Sequence, residues 1–299
     1  MTSTSTRAAA APRLLASLVG LVTLGSGSLL AACSSSPDGA DATRPAPTVT
    51  TTGPAGAGTP PGPEATGANP ADPAPAAPAS CTAIELVEGT AVTSDALATC
   101  LADHMRWAGS GHEEIRLAGT TTLVDWVLTP DGLHGVLDRD PGGRVAFTPD
   151  RGWQQDGTGW VEGDPGGDSE AALVAQGVDI LRTSLEPEFL AAMIRLAPGF
   201  TVAGREEVEL ADGTTTTLWA IRADAPFASL AQSTTDELVV WTATPGPTAR
   251  IDITSTTPGA GQGTSTTFFT RWGQRPDLTE LAELAGLDLG AGSSPERRD

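Results

Sequence analysis

The sequence contains no lysine at all, so a P-loop, which needs its lysine to reach phosphate, is excluded. All 17 basic side chains are arginine, set against 37 acidic ones, and the formal net charge is −20. Such a surface repels phosphate. Nucleic acid is therefore not an expected partner, and neither is electrostatic adhesion to anionic lipid, since both rely on clustered basic residues. Histidine is almost as scarce, with only His104, His112 and His134. His112-Glu113-Glu114 lacks the second histidine of a zincin helix, and Gly109-Ser110-Gly111 is too short for a nucleophile elbow and reads as a helix stop. The acidic groups Asp138/Asp140 and Asp164/Asp168/Glu170 lack the alternating oxygen ligands of a calcium loop, and turn or N-cap duty accounts for them. Gly259-Ala260-Gly261-Gln262-Gly263 falls between strands and reads as a hairpin loop rather than a dinucleotide fingerprint. No catalytic residue, metal or cofactor is assigned, and the chain is not expected to be an enzyme.

What the sequence does have begins at its N-terminus. Arg7 and Arg13 precede an apolar run from Leu14 to Leu24 and then small residues, the anatomy of a secretory signal peptide over 1–32. Leu30-Ala31-Ala32-Cys33 resembles the bacterial lipobox. That resemblance implies cleavage before Cys33, diacylation of its sulfur, and a protein anchored to the outer face of the cytoplasmic membrane. An ordinary cleaved signal is one other reading. A retained span is another, although Gly20, Gly25 and Gly27 interrupt a run shorter than the ~20 apolar residues a span needs. Losing Arg7 and Arg13 with the leader takes the net charge from −20 to −22.

Residues 33–80 read as a tether: eleven of the 24 prolines lie there, among Ala, Gly and Thr and without an aromatic residue, so the stretch has nothing with which to bury a core. A tract of this composition is an extended, semi-stiff spacer. With Cys33 assigned to lipid, Cys81 and Cys100 remain as a pair in an exported, oxidising context and are expected to form a disulfide. Residues 81–292 are long enough for one domain, expected to be monomeric, with 293–299 as a flexible tail.

Within that domain, Thr93 or Ser94 caps a helix over 94–108 that carries Leu97, Cys100, Leu101, Met105 and Ala108 at helical spacing. From 113 to 162 the period changes to two, and turns recur every eight to twelve residues. The expected strands are Glu113–Leu117, Thr120–Leu128, Leu133–Arg139, Arg144–Thr148 and a hairpin holding Trp153 and Trp160. Two helices follow. The first starts at Ser169 with a stripe of Leu173, Val174, Ile180, Leu181 and Leu185; the second starts at Glu186-Pro187 with Phe189, Leu190, Met193, Ile194 and Ala197. Strands then return at Arg205–Leu210, Thr214–Arg222, Glu237–Thr244, Ala249–Thr256 and Ser265–Trp272. A helical turn is expected near Phe227–Leu230 and a last helical piece over Leu278–Leu287. The order is that of an α+β fold with one large antiparallel sheet.

Gly152-Trp153, Gly159-Trp160-Val161 and the closing Phe268-Phe269-Thr270-Arg271-Trp272-Gly273-Gln274-Arg275-Pro276, taken with this order, resemble the lipoprotein-localisation carriers (LolA/LolB-like) and the envelope lipoproteins of the LprG, LppX and LprA group. The resemblance covers roughly 94–278. It implies a curved sheet, a half-barrel wrapped around helices, and a cavity for an apolar envelope molecule, lipid or lipoglycan. The Pro-rich tether, the Cys81/Cys100 pair and the lack of tyrosine depart from that group. Candidate cavity residues are Val174, Leu181, Phe189, Met193, Trp219, Trp241 and Phe268. The alternative is a tethered partner-binding or sensory domain with a filled core, because a packed and a hollow interior need the same apolar faces.

Overall fold

Alternating hydrophobicity over most of the domain builds a single 13-stranded antiparallel sheet, which curves into an open half-barrel. The computed structural model describes residues 77–287 except 158, 230 and 231. The leader, Cys33, the tether up to 76 and the tail lie outside the described residues. In chain order the strands are β1 (Ala91–Val92), β2 (Ser110–Leu117), β3 (Thr120–Thr129), β4 (Gly132–Asp140), β5 (Gly143–Phe147), β6 (Gly152–Asp156), β7 (Gly159–Glu162), β8 (Phe200–Glu209), β9 (Thr215–Ala223), β10 (Phe227–Ala228), β11 (Thr234–Thr242), β12 (Thr248–Thr257) and β13 (Gly261–Thr270). The helices are α1 (Ala79–Thr82), α2 (Ser94–Ala108), α3 (Ser169–Ser184), α4 (Pro187–Arg195) and α5 (Thr279–Ala285). The strands run β1-β8-β9-β11-β12-β13-β2-β3-β4-β5-β6-β7 across the sheet, with β10 added to β11. β13 pairs with β2, so the C-terminal strands join the N-terminal meander directly.

Capping chemistry sets the helix ends. Thr93 accepts a hydrogen bond from the Ala96 N–H at 3.2 Å, and Gly109 closes α2 in the left-handed region at φ 67°. Asp168 accepts from the Glu170 and Ala171 N–H groups at 3.1 and 3.0 Å to open α3. α2 and α4 pack antiparallel: the Ser94 hydroxyl donates to the Ala197 carbonyl at 2.6 Å and Arg195 pairs with Asp95 at one end, while Arg106 pairs with Glu188 at the other. The Cys81–Cys100 disulfide joins α1 to α2, and both cysteines are fully buried. α1 begins inside the stretch read as tether.

Four expectations are corrected. On α3 the buried face is Val174, Val178 and Leu185, at i, i+4 and i+11. Leu173 lies about 100° away around the helix and is 68 % exposed. Phe227–Ala228 is a strand and not a helical turn: it pairs with Thr234 and Thr235, where β11 extends past the end of β9. β8 starts at Phe200, five residues early, because a bulge between Val202 and Gly204 breaks the period of two and moves the buried side chains from one face to the other. Gly261 to Gly263 are strand as well, paired with Ser255 to Thr257.

The seat of α3 on the sheet depends on a glycine. A Cβ at Gly152 would stand inside the Val178 side chain, and one at Gly163 would lie 2.6 Å from the Ala175 backbone nitrogen. Gly152→Ala should therefore cost about 1–3 kcal/mol by overpacking. Val178→Ala in the same chain should recover part of that loss, compared as urea midpoints at constant slope. An unperturbed Gly152→Ala protein would show that α3 does not rest there.

The convex face is covered at both ends. α5 lays Leu278 and Leu281 onto Val136, Ala146 and Trp153. At the other end the tip of the β8–β9 hairpin folds back, its Glu209 and Ala211 carbonyls accepting from Arg250 and Arg116, each at 3.0 Å. The same two guanidinium groups lie over the Phe268 ring.

Candidate functional site

The concave face carries two apolar clusters rather than one. In the first, Leu97, Ala98 and Leu101 of α2 and Ala191 and Ile194 of α4 meet Phe200, Val202, Ile221, Leu238, Val240, Ile251 and Phe269. In the second, Met105 of α2 and Val174 and Val178 of α3 meet Val124, Trp126, Leu133, Leu137, Val145 and Phe147, so that α2 reaches into both. Leu190 and Trp272 are half-buried and pack against both. They mark a seam.

Strand β2 runs along that seam, and its concave residues are Gly111, Glu113 and Ile115. Glu113 stands opposite Phe269 of the first cluster and Val124 of the second. Gly111 stands opposite Trp126, whose ring lies so close that a Cβ on residue 111 would approach it to 2.8 Å. A bulkier residue there would lift the indole off the strand.

Glu113 is thus a carboxyl on an otherwise apolar lining, and it is only 5 % exposed. Burial pushes its pKa up to about 7, opposed only by the Trp126 indole N–H. That N–H faces the carboxyl without closing a hydrogen bond of ordinary geometry, and Trp126 Nε1 has no other partner. His104 enters from α2, 3 % exposed, with neither ring nitrogen hydrogen-bonded; burial lowers its pKa, so it is held neutral. Trp272 links the group. Its ring meets His104 edge-on at 4.9 Å and Trp126 edge-on at 6.0 Å, stacks on Phe269 at 5.5 Å, and its N–H donates to the Thr248 carbonyl at 3.0 Å. Two surface clefts flank the helix cover, one at each end of α4. The larger, about 430 Å³, lies against Ser94, Asp95, Arg195 and Asp224; the smaller, about 310 Å³, lies against Arg106, Leu128, Leu133 and Pro187.

The residues singled out from the sequence are only partly brought together. Val174 and Leu181 belong to the second concave cluster, and Trp219 packs against the first. Phe189 and Met193 are half-buried on α4, outside both. Trp241 and Phe268 face the convex side. Trp241 packs with Val208, Leu218 and Val239 and donates to Asp252 at 2.7 Å, while Phe268 sits under Arg116 and Arg250. Two adjacent phenylalanines, Phe268 and Phe269, offer no parity signal to say which one faces inward. The residues that meet at the seam, Glu113, His104, Trp126 and Trp272, are not among those that sequence pattern singles out. The available signal was an acidic residue in register with Ile115, at an inward position of an alternating strand. The acidic turns do structural work: Asp138 pairs with Arg144, Asp168 caps α3, and Asp164 accepts from the Gly166 N–H. No protein-family model and no curated protein matches this chain.

Proposed function

We infer that the protein is an exported lipoprotein, held at the outer face of the membrane through diacylated Cys33, whose half-barrel binds or carries an apolar envelope molecule under its helix cover. The observation that carries this reading is the division of the concave core at a seam. An interior built only for stability gains from one continuous apolar cluster; here two clusters touch through Leu190 and Trp272, with a carboxyl between them. α3 covers the second cluster with Val174 and Val178 as its deeply buried side chains, beside Met105 of α2, a surface small enough for α3 to lift. The likeness of the element order to the lipid and lipoprotein carriers supports the same reading. The tight seat of Val178 over Gly152 favours the other one, a tethered partner-binding domain with a permanently filled core.

Extraction of the full-length protein from a native-like exporting host separates the two. A carrier yields an apolar molecule in proportion to protein, and Leu190→Trp, which fills the junction of the clusters, lowers that yield at an unchanged melting temperature. A protein that yields nothing, and that Leu190→Trp destabilises by about 1–3 kcal/mol, has a filled core. Leu190 is the better probe than Met193, which touches neither cluster. The anchor is tested by Cys33→Ser, which should move the protein from the membrane to the soluble exported fraction, because two acyl chains are what stable anchoring takes. An unchanged distribution removes the lipoprotein reading.

A further inference from the structure

The edge of the half-barrel that carries α3 is joined to the rest of the sheet by little backbone. Within the meander, β3 and β4 share nine residue pairs, β4 and β5 five, and β5 and β6 only three, Val145 to Phe147 with Gly152 to Gln154. Beyond that boundary β6, β7 and α3 form one unit. Val178 fits over Gly152 with no room for a Cβ, and Ala175 stands as closely over Gly163. The Gly163 N–H donates to the Gly152 carbonyl at 2.8 Å, and the Asp164 N–H to the Ala171 carbonyl at 3.0 Å. The backbone of α3 lies over β5, β6 and β7 and has little contact with α2 or with the other strands. α3 is therefore carried by the edge hairpin rather than by the helices beside it.

The convex face carries a tie across the same boundary. Leu278 and Leu281 pack on Val136 of β4 and Ala146 of β5 on one side of it and on Trp153 of β6 on the other, with Trp160 of β7 half-buried against them. Polar contacts repeat that span. One oxygen of Glu280 accepts from Arg144 of β5 and the other from the Trp160 indole N–H at 3.1 Å. Arg151, in the turn before β6, donates to the Ala285 carbonyl at 3.2 Å and pairs with Glu162 of β7. Leu281 is fully buried, although α5 has only seven residues. A helix that short has little stability of its own, so its order rests on this docking. An edge held by three residue pairs opens more readily than the sheet behind it once the docking is lost.

We propose that α5 is a strap: docked on the convex face it holds β6, β7 and α3 closed, and when released it lets that unit swing away from the body of the half-barrel. The pivots are the turn at 148–151 and the joint between α3 and α4 at 185–187. Arg182 of α3 donates to the Pro149 carbonyl at 2.6 Å, which keeps the end of α3 at the pivot. Opening uncovers the second concave cluster, while α2 and α4 keep the first one shut. The device couples opposite faces of the sheet: the strap lies on one, and the surface it governs, Leu137, Val145 and Phe147 under Val174 and Val178, lies on the other. It is read from the fold and does not depend on what the concave face binds.

The test is hydrogen exchange read by mass spectrometry on the full-length protein, with Leu281→Ala to weaken the docking and Glu280→Gln to remove only the charge that ties Arg144. Leu281→Ala should speed exchange of the protected amides of β6, β7 and α3 at least ~10-fold, while those of α2, β2, β3 and β8 to β13 keep their native rates. Glu280→Gln should give the same map at smaller amplitude, and it decides the question alone if Leu281→Ala does not fold. Acceleration confined to 278–285 would show that the strap holds nothing but itself. An equal rise over every element would show that α5 supports the domain as a whole. Either of these two results overturns the proposal.

Discussion

Removing the Cys81–Cys100 bridge should lower the stability of the domain by about 2–5 kcal/mol, a large part of what a domain of this size has to spare. The bond closes a loop with a sequence separation of 19. Chain entropy alone gives roughly 3 kcal/mol for a loop of that length. The bridge also holds a segment with few other attachments. Upstream of α2 these include Ile84 and Val92 in the first concave cluster with Leu86 against it, the two-residue pairing of β1 with β8, extended by the Gly89 N–H on the Val202 carbonyl and the Val202 N–H on the Thr90 carbonyl, and the Ser80 hydroxyl on Asp103 at 2.8 Å. Urea unfolding of the oxidised protein against Cys81→Ala/Cys100→Ala measures the difference, alanine being chosen because a buried serine would add an unpaired hydroxyl. A loss below about 0.5 kcal/mol would show that α1 and the run to β1 contribute nothing through their tie to α2. Limited proteolysis should then cut the double variant first between 82 and 90, where the backbone of the native protein already runs over the surface.

The second large effect is a dependence on pH. The Glu113 carboxyl has its pKa raised from 4.5 to about 7 in the folded chain because burial penalises its charge. Between those two values the unfolded chain has released the proton while the folded chain still holds it, so stability falls as pH rises through that window. It is fully present below 4.5 and flat again above about 7. The span corresponds to about 3 kcal/mol. Other carboxyl groups titrate in the same range, so the quantity to measure is the difference between the native protein and Glu113→Gln. The native protein should lose about 3 kcal/mol more than the variant between pH 4.5 and pH 8, and Glu113→Gln should be the more stable of the two at pH 8. Superimposable profiles would place Glu113 in contact with water.

Much of this protein is legible without coordinates, and the reason is locality. Thr93 before an apolar stripe and Gly109 after it are enough to place α2 at 94–108, because caps act over three or four residues. The meander from β2 to β7 follows from alternation and from turns such as Thr129-Pro130-Asp131-Gly132, which need only their own dihedrals. The pairing of Cys81 with Cys100 follows from redox context and arithmetic once Cys33 is set aside.

What needed the tertiary structure depends on which face a residue joins and what meets it there. The bulge at Val202 and Gly204 exchanges the faces of β8 midway, and β13 buries Phe269 inside while Phe268 goes under two arginines on the other side. Parity within a strand is a local property, but its sign against the core is not. A one-residue shift inverts it. The seam is the extreme case: Glu113, Trp126, His104 and Trp272 come from β2, β3, α2 and the segment after β13. They meet only because β13 closes against β2. Sequence by itself determined most of the longer helices and strands, the disulfide and the single antiparallel sheet, each set by interactions between near neighbours or by composition. The division of the concave core, and the buried carboxyl that stands in it, were decided by long-range strand order alone.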